Sequence, residues 1–452
     1  MQKKVSLFLM VTIIFSIMLL ASPVYSVDWE EELNDWSGET LNVIMVRDPW
    51  IDAFEEINPK FEELTGANVE ITAYGYDATQ EQQVAMGTAE ADDHDVIVLD
   101  TPWVGQFVEA GFVEDLTPYV EEADSDIIAF DDYTPGGQDK VFWDGAMAGL
   151  PFGSYYMTLN YRTDLFEEAG LSAPESIEEY IEAAEYFTGN PDYPGVFGTA
   201  LNYERGAAIG QQWFELIWLF GGQVFESVYP DSENPYEDMT PLINTEEGRE
   251  VTQFLIDMLD YMPPGAESFA WDERATSFAM GQLSMAPTWA VRTPGFHDPD
   301  QSTVVGDVGT TILPAKEGVE PYVPPFGGWM MGINTFIEEE EKDMAWDYIK
   351  WFTSQEMHKE FVLEGGPPSR LSVIQDEEVL EQRPEVETIY EQADKVYEDV
   401  RPRIPESHEI IDIVGYHVSR AVEGDASVEE AMQEAEDEVA ELLIENDYHV
   451  DR

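Results

Sequence analysis

Two hydrophobic periods alternate through the first quarter of the chain. Leu41 to Val46 is a short apolar run, Asn68 to Tyr74 alternates through Val69, Ile71 and Ala73, and Asp95 to Leu99 is again a short apolar run. Each has the length and pattern of a strand. Between the first two, Ile51, Phe54, Ile57, Phe61 and Leu64 recur at helical spacing, and Gly66 follows as a stop. The order reads as βαβαβ and predicts an α/β fold, a parallel sheet with helices on both faces. Ligands of open α/β sheets sit beyond the carboxyl ends of the strands. Those ends carry Asp48-Pro49-Trp50, Gly75-Tyr76 and Asp100-Thr101-Pro102-Trp103. Asp48, Trp50, Tyr76, Asp100 and Trp103 are therefore candidate ligand contacts.

Farther on, Ser176 and Glu179 have the spacing of a capping box, and a helix through Tyr180, Ala184 and Phe187 should stop at Gly189. Ser427 and Glu430 repeat the signature ahead of a C-terminal helix. Its stripe of Val428, Ala431, Met432, Ala435, Val439 and Leu442 is core rather than a site. Trp346 and Trp351 lie in a comparable helical stretch and are also expected to pack. Internal repeats, low-complexity segments and long linkers are not evident.

The N-terminus has a different pattern. Lys3 and Lys4 precede an uncharged stretch from Val5 to Leu20, and Ala21 to Ser26 follows with a small residue at Ser26 and a tolerable Val24 two before it. This is the layout of a secretory signal peptide over 1–26, cut after Ser26. The apolar run is shorter than the roughly 20 residues that span a bilayer. What remains exceeds one ordinary domain and predicts two lobes. There is no cysteine, which removes both disulfides and the attachment point of a lipoprotein. A soluble, monomeric protein of the periplasm or extracytoplasmic space is expected.

Charge changes the picture further. The chain has 94 acidic residues against 21 basic ones, a net charge of −73, yet 44% of its residues are hydrophobic. Acids interleaved with that much apolar sequence belong to a chain that folds. Its self-repulsion is severe at low ionic strength and is screened within roughly 3 Å at about 1 M salt. A halophilic setting, with an acidic proteome, is the expectation. Nucleic acid is excluded as a partner, since no basic patch exists to neutralise phosphates.

No phosphate-binding loop, dinucleotide turn, zinc-protease helix or nucleophile elbow occurs. The six histidines are scattered. Asp92, Asp93, His94 and Asp95 form a cluster that so acidic a chain produces by chance, and neither a metal nor a cofactor is expected. Paired carboxylates for glycoside hydrolysis can neither be excluded nor claimed by counting. A secreted glycosidase-like hydrolase therefore stays open beside a binding protein.

Several stretches carry a resemblance. They are Phe61-Glu62-Glu63-Leu64-Thr65-Gly66, then Gly149-Leu150-Pro151 with Leu159-Asn160-Tyr161-Arg162-Thr163-Asp164-Leu165-Phe166, and Ala169-Gly170-Leu171. Phe278 to Met285, Phe326-Gly327-Gly328-Trp329 before Gly332-Ile333, and Gly366-Pro367-Pro368-Ser369-Arg370 follow. In this order, across nearly the whole exported chain, they resemble the extracellular solute-binding proteins of carbohydrate ABC importers, the class of maltose-, trehalose- and polyol-binding proteins. The subgroup it looks most like is that of the sorbitol, mannitol and disaccharide binders.

The resemblance implies a two-lobed periplasmic-binding-protein-like fold with three inter-lobe crossings, near Phe152–Tyr156, Pro325–Gly328 and Glu364–Pro368. It implies an N-terminal lobe of 27–152 plus 328–365 and a C-terminal lobe of 153–327 plus 366–452. A sugar or polyol would be captured in the cleft without being altered and passed to the membrane permease subunits of an ABC importer. Aromatics that stack on sugar faces and polar groups that meet hydroxyls make such a site. By position in the resemblance, Tyr155 and Trp289 are expected contacts. Gly328 and Trp329 lie at the second crossing, and Arg370 follows the third. Gln211, Gln212 and Trp213 precede Leu219-Phe220-Gly221-Gly222 and are placed towards the cleft, though Trp213, like Trp143, is divided between site and core.

Overall fold

The computed structural model describes residues 27–230, 232 and 234–451. The expected signal peptide lies outside the described residues. The expected opening is present: strand β1 (Thr40–Val46), a helix over Trp50–Thr65, β2 (Asn68–Tyr74), a helix over Tyr76–Ala89 and β3 (Val96–Asp100). β1 pairs in parallel with β2 on one side and β3 on the other. The first helix buries Phe54, Ile57 and Phe61, the face its period announced. Phe54 stacks on Phe352 at 4.5 Å and meets Phe152 edge-on at 5.5 Å. Truncating such a ring to Ala costs about 3–5 kcal/mol.

A small hairpin, β4 (Phe142–Trp143) and β5 (Ala146–Met147), precedes the remaining strands. These are β6 (Leu150–Arg162), β7 (Met285–Trp289), β8 (Val308–Ile312) and β9 (Phe326–Ile333). β9 runs antiparallel between β3 and the first half of β6, from Leu150 to Tyr156. From Met157 onward β6 instead pairs with β7, and from Thr158 with β8 as well. One strand thus serves two sheets, and the fold is two-lobed α/β. The N-terminal sheet, in order β2-β1-β3-β9-β6, is mixed rather than parallel, which corrects the sequence expectation. β9 enters it from the second lobe, so it runs against β3.

The three segments expected to cross between lobes lie side by side. Met157 donates its N–H to the Pro325 carbonyl at 3.3 Å, and Ser154 donates its N–H to the Pro368 carbonyl at 3.2 Å. In the second lobe the helix Ala207–Ile217 is buried on every side and packs on the helix Ser407–Val422. Gly210 allows the approach, because a Cβ there would meet the Ile411 carbonyl oxygen at 2.3 Å. Ser427 opens the helix Val428–Glu445 with both halves of its capping box, Glu430 N–H to Ser427 Oγ at 3.3 Å and the reverse bond at 3.1 Å. At Ser176 only half forms, because the Glu179 carboxylate accepts the Glu175 N–H instead. Trp351 is fully buried against Phe61, and Trp346 packs on Tyr119. Among the described residues no helix is long and apolar enough to cross a membrane.

Candidate ligand-binding cleft

A cavity of about 380 Å³ opens where the two sheets meet, near the lower end of the roughly 300–1,000 Å³ usual for small-molecule sites. Asp48 and Asp100 enter it from just beyond β1 and from the last position of β3, as the strand-end argument predicts. Tyr76 enters at the start of the helix after β2. Tyr155 and Trp329 come from β6 and β9, at the junction of the lobes. The opposite wall holds Gln211, Trp271, Asp272, Trp289, Arg292 and Arg401.

Each of the two strand-end carboxylates is held by a tyrosine and an arginine. Asp100 accepts from Tyr76 Oη at 2.8 Å and from Arg401 Nη1 at 3.1 Å. Asp48 accepts from Tyr155 Oη at 3.1 Å and from Arg292 Nη2 at 3.4 Å. Arg292 also donates to Asp272 at 2.7 Å. Burial pushes the Asp48 carboxyl up, and the Arg292 guanidinium opposes it. Burial alone would lower both guanidiniums, but Asp48 holds Arg292 above its usual value and Asp100 does the same for Arg401. Gly327 leaves room for this, since a Cβ there would lie 2.5 Å from Arg401 Nη2. At Gly328 a Cβ would lie 2.0 Å from Lys140 Nζ.

The apolar part of the site is a stack of rings around Trp329. Trp50 and Trp103 meet it edge-on with centroids at 4.9 and 5.7 Å. Tyr155 bridges from Trp329 to Trp289, 5.8 Å away, and Tyr76 bridges to Trp271 at 5.7 Å. Ring faces next to paired carboxylates and guanidiniums suit a ligand with C–H faces and many hydroxyls. The carboxylates accept from hydroxyls and the guanidiniums donate to them.

Of the residues singled out from sequence, Asp48, Tyr76, Asp100, Tyr155, Trp289, Gly328 and Trp329 line the cavity, as does Gln211. Trp50 and Trp103 do not. Each is at most 1% exposed and stands behind Trp329 as its support. Gln212 is turned into the second lobe, where it donates to Glu215 at 3.0 Å and accepts from Arg274 at 3.1 Å. Trp213 is wholly buried and donates to Thr252 Oγ1 at 3.1 Å. On a helix, neighbours in sequence point about 100° apart, so Gln211 alone of the three faces the cleft. Arg370 is fully buried beneath the first lobe, donating to the carbonyls of Thr353, Ile128 and Ala129. Trp143 packs on Tyr236 and donates to Glu109. Of the acidic cluster, Asp95 accepts the Asn42 N–H at 2.7 Å and is pushed by burial to about 6.

Sequence reasoning missed Trp271, Asp272, Arg292 and Arg401. The sequence signal for the arginines was scarcity alone, 21 basic residues against 94 acidic ones, and the structure buries several of them. Lys140, Arg274, Lys342, Lys350, Arg370, Arg383, Arg401 and Arg403 are all less than 9% exposed.

The model of bacterial extracellular solute-binding proteins matches residues 48–359. A probable amino-acid ABC transporter periplasmic-binding protein of Sinorhizobium fredii is 25% identical over 358 residues, covering 77% of each chain. The crystal structure of an ABC transporter solute-binding protein from Agrobacterium radiobacter in complex with ribitol is 30% identical. It superposes with a TM-score of 0.83 over 90% of this chain and 100% of that one. The maltose-bound MalE3 of T. maritima, 24% identical, has the same fold, with a TM-score of 0.79 over 89% of this chain and 100% of that one.

Proposed function

Because the chain belongs to the bacterial extracellular solute-binding proteins, we propose that it captures a neutral sugar or polyol outside the cytoplasm and delivers it to an ABC importer. The observation that carries the choice of ligand is the cleft itself. Three tryptophans and two tyrosines surround two carboxylates that are each already matched by a guanidinium. Such a wall offers apolar faces and both kinds of hydrogen-bonding group, which fits C–H faces and hydroxyls, and the further acids Asp77, Glu204, Asp272 and Glu273 against Arg47 leave the lining net negative and hostile to an anion. The ribitol complex of a 30%-identical relative supports the same class.

A thermal-shift screen in high salt tests the reading. A solute that binds only the folded state raises Tm by mass action, and mass spectrometry should return an oligosaccharide intact, which separates capture from hydrolysis. A zwitterionic amino acid is the second reading, favoured by the name of the Sinorhizobium relative and by the acids and arginines in one cavity. Its ammonium and carboxylate would compete with the Asp48–Arg292 and Asp100–Arg401 pairs for the same groups.

The lobes are assigned to 27–152 with 328–365 and to 153–327 with 366–452, while the change of partners along β6 falls between Tyr156 and Met157. The exported form begins after Ser26 and acts as a monomer, which N-terminal sequencing and size-exclusion chromatography check. It works in brine. With so many of its few basic residues buried, the surface is left overwhelmingly acidic, and exposed ion pairs contribute only about 0–1 kcal/mol each. Tm should rise steeply with potassium chloride from roughly 0.05 to 2 M, as the Debye length falls several-fold. A flat profile would remove the halophilic reading and leave the ligand assignment standing.

A further inference from the structure

Behind the second-lobe wall of the cleft lies a buried carboxylate that ligand cannot reach. Glu215 sits on the helix Ala207–Ile217, one turn beyond Gln211, so the two share a face. Gln211 lines the cavity and its Oε1 accepts from Arg401 Nη1 at 3.1 Å, the same nitrogen that donates to Asp100 at 3.1 Å. Glu215 Oε2 accepts from Gln212 Nε2 at 3.0 Å, and Gln212 Oε1 accepts from Arg274 Nη1 at 3.1 Å. Charges therefore alternate inward from the cleft: Asp100, Arg401, Glu215, Arg274.

The charges that act on Glu215 are those of Arg274 and Arg401. Ile411, Gly415, Gly248 and Thr252 are among the contacts of its helix with the two others packed on it, and no ionisable group of those two helices is among the charges that act on Glu215. Glu215 Oε1 and Gln211 Nε2, an acceptor and a donor on one helix face, are both buried without a protein partner. A carboxylate at such depth is an expensive way to fill space even with partners, because both the acid and the guanidiniums beside it have lost their water.

We propose that Glu215 is a positioning residue of the cleft: from behind the wall it holds Gln211 and Arg401 against Asp100, and so sets affinity without touching the ligand. This rests on the solute-binding reading. Burial is the main influence on the Glu215 carboxyl and pushes it up to about 7, against the pull of Arg274 and Arg401. A carboxyl raised on folding adds stability that is full below its unfolded value and is lost as pH rises through the folded value. The negative form that orders the wall is thus the form that costs stability.

The test is Glu215→Gln, which mimics the protonated carboxyl in shape. At pH 8 the variant should melt about 2–4 °C above wild type, with the gain shrinking towards pH 5.5, while its Kd for ribitol, mannitol or maltose weakens about tenfold. Wild-type affinity should fall by a similar factor from pH 8 to 5.5, and the variant's should stay flat. A merely structural residue would not move stability and affinity in opposite directions. Unchanged affinity, or the same pH profile in both proteins, would overturn the proposal.

Should wild type bind none of the three probes, the carbohydrate reading fails by itself. The positioning role is then decided without ligand, by combining Glu215→Gln with Gln211→Ala. Non-additive Tm shifts support it and additive ones refute it.

Discussion

The two walls of the cleft are built by different means. The first-lobe wall comes from strand ends: Asp48 follows β1, Tyr76 follows β2, and Asp100 closes β3. Neighbouring parallel strands bring their carboxyl ends to one edge, so this wall is local in sequence. The second-lobe wall is assembled from a helix interior (Gln211), a helix start (Trp271), a short turn after β7 (Arg292) and a late segment (Arg401). Arg401 reaches Asp100 across 301 positions of chain. Only packing places it. A strand-end wall is fixed by topology, whereas the other wall is held by ion pairs and side-chain bonds and should be the more easily disturbed.

The largest effect expected from a single change is at Trp329, where the walls meet. Trp329→Ala removes the ring that Trp50 and Trp103 support. It should cost about 3–5 kcal/mol of stability and abolish measurable binding. Trp271→Ala, on the second wall, should weaken binding by about 1–3 kcal/mol with little change in Tm, because its ring is only half-buried. Calorimetric titration and melting of both variants separate a ring that supports the fold from one that only meets the ligand.

Next come the arginines. Arg401→Ala leaves Asp100, 3% exposed, without its counter-charge, and should cost about 3–5 kcal/mol of stability. Arg292→Ala should cost less, since the Arg292–Asp48 pair is longer, 3.4 Å against 3.1 Å, and less deeply buried than Arg401–Asp100. It should still weaken ligand binding more than it lowers Tm. Equal losses of stability in the two variants would contradict the difference in burial between the two ion pairs.

The same contrast explains what was legible in the chain. Period and stop signals predicted β1 to β3 to within a residue, because buried strands such as β1 and β3 read as apolar runs and the part-exposed β2 as an alternation. The antiparallel entry of β9 was not legible, since strand direction depends on where the chain returns from the second lobe. Trp50 and Trp103 were correctly placed near the site and wrongly placed in it. An aromatic beyond a strand end can face the cavity or back the ring that does, and the sequence pattern is identical for both. Gln212 and Trp213 failed for a different reason. They flank Gln211 on a helix buried all round, where no polar face betrays the side that looks into the cleft. Arg370 carries a family-like position but fills a nest of carbonyls under the first lobe.

Smaller effects sharpen the comparison. Trp213→Phe removes the bond to Thr252 and should lower stability by about 1–2 kcal/mol while leaving Kd unchanged, as befits a core residue. Asp272→Asn should change little, about 0–1 kcal/mol, because its carboxylate is 79% exposed despite the short bond to Arg292. A large loss of affinity in Asp272→Asn would place this carboxylate in direct contact with ligand.

The central claim, that this cleft takes a neutral polyhydroxylated solute, is tested most directly by isothermal titration calorimetry of the exported chain in about 2 M potassium chloride. Ribitol, mannitol, maltose and a set of amino acids would be the titrants. The account predicts saturable one-to-one binding of at least one polyol or sugar, with no heat from the amino acids. Saturable binding of an amino acid, with none from any polyol or sugar, would contradict it.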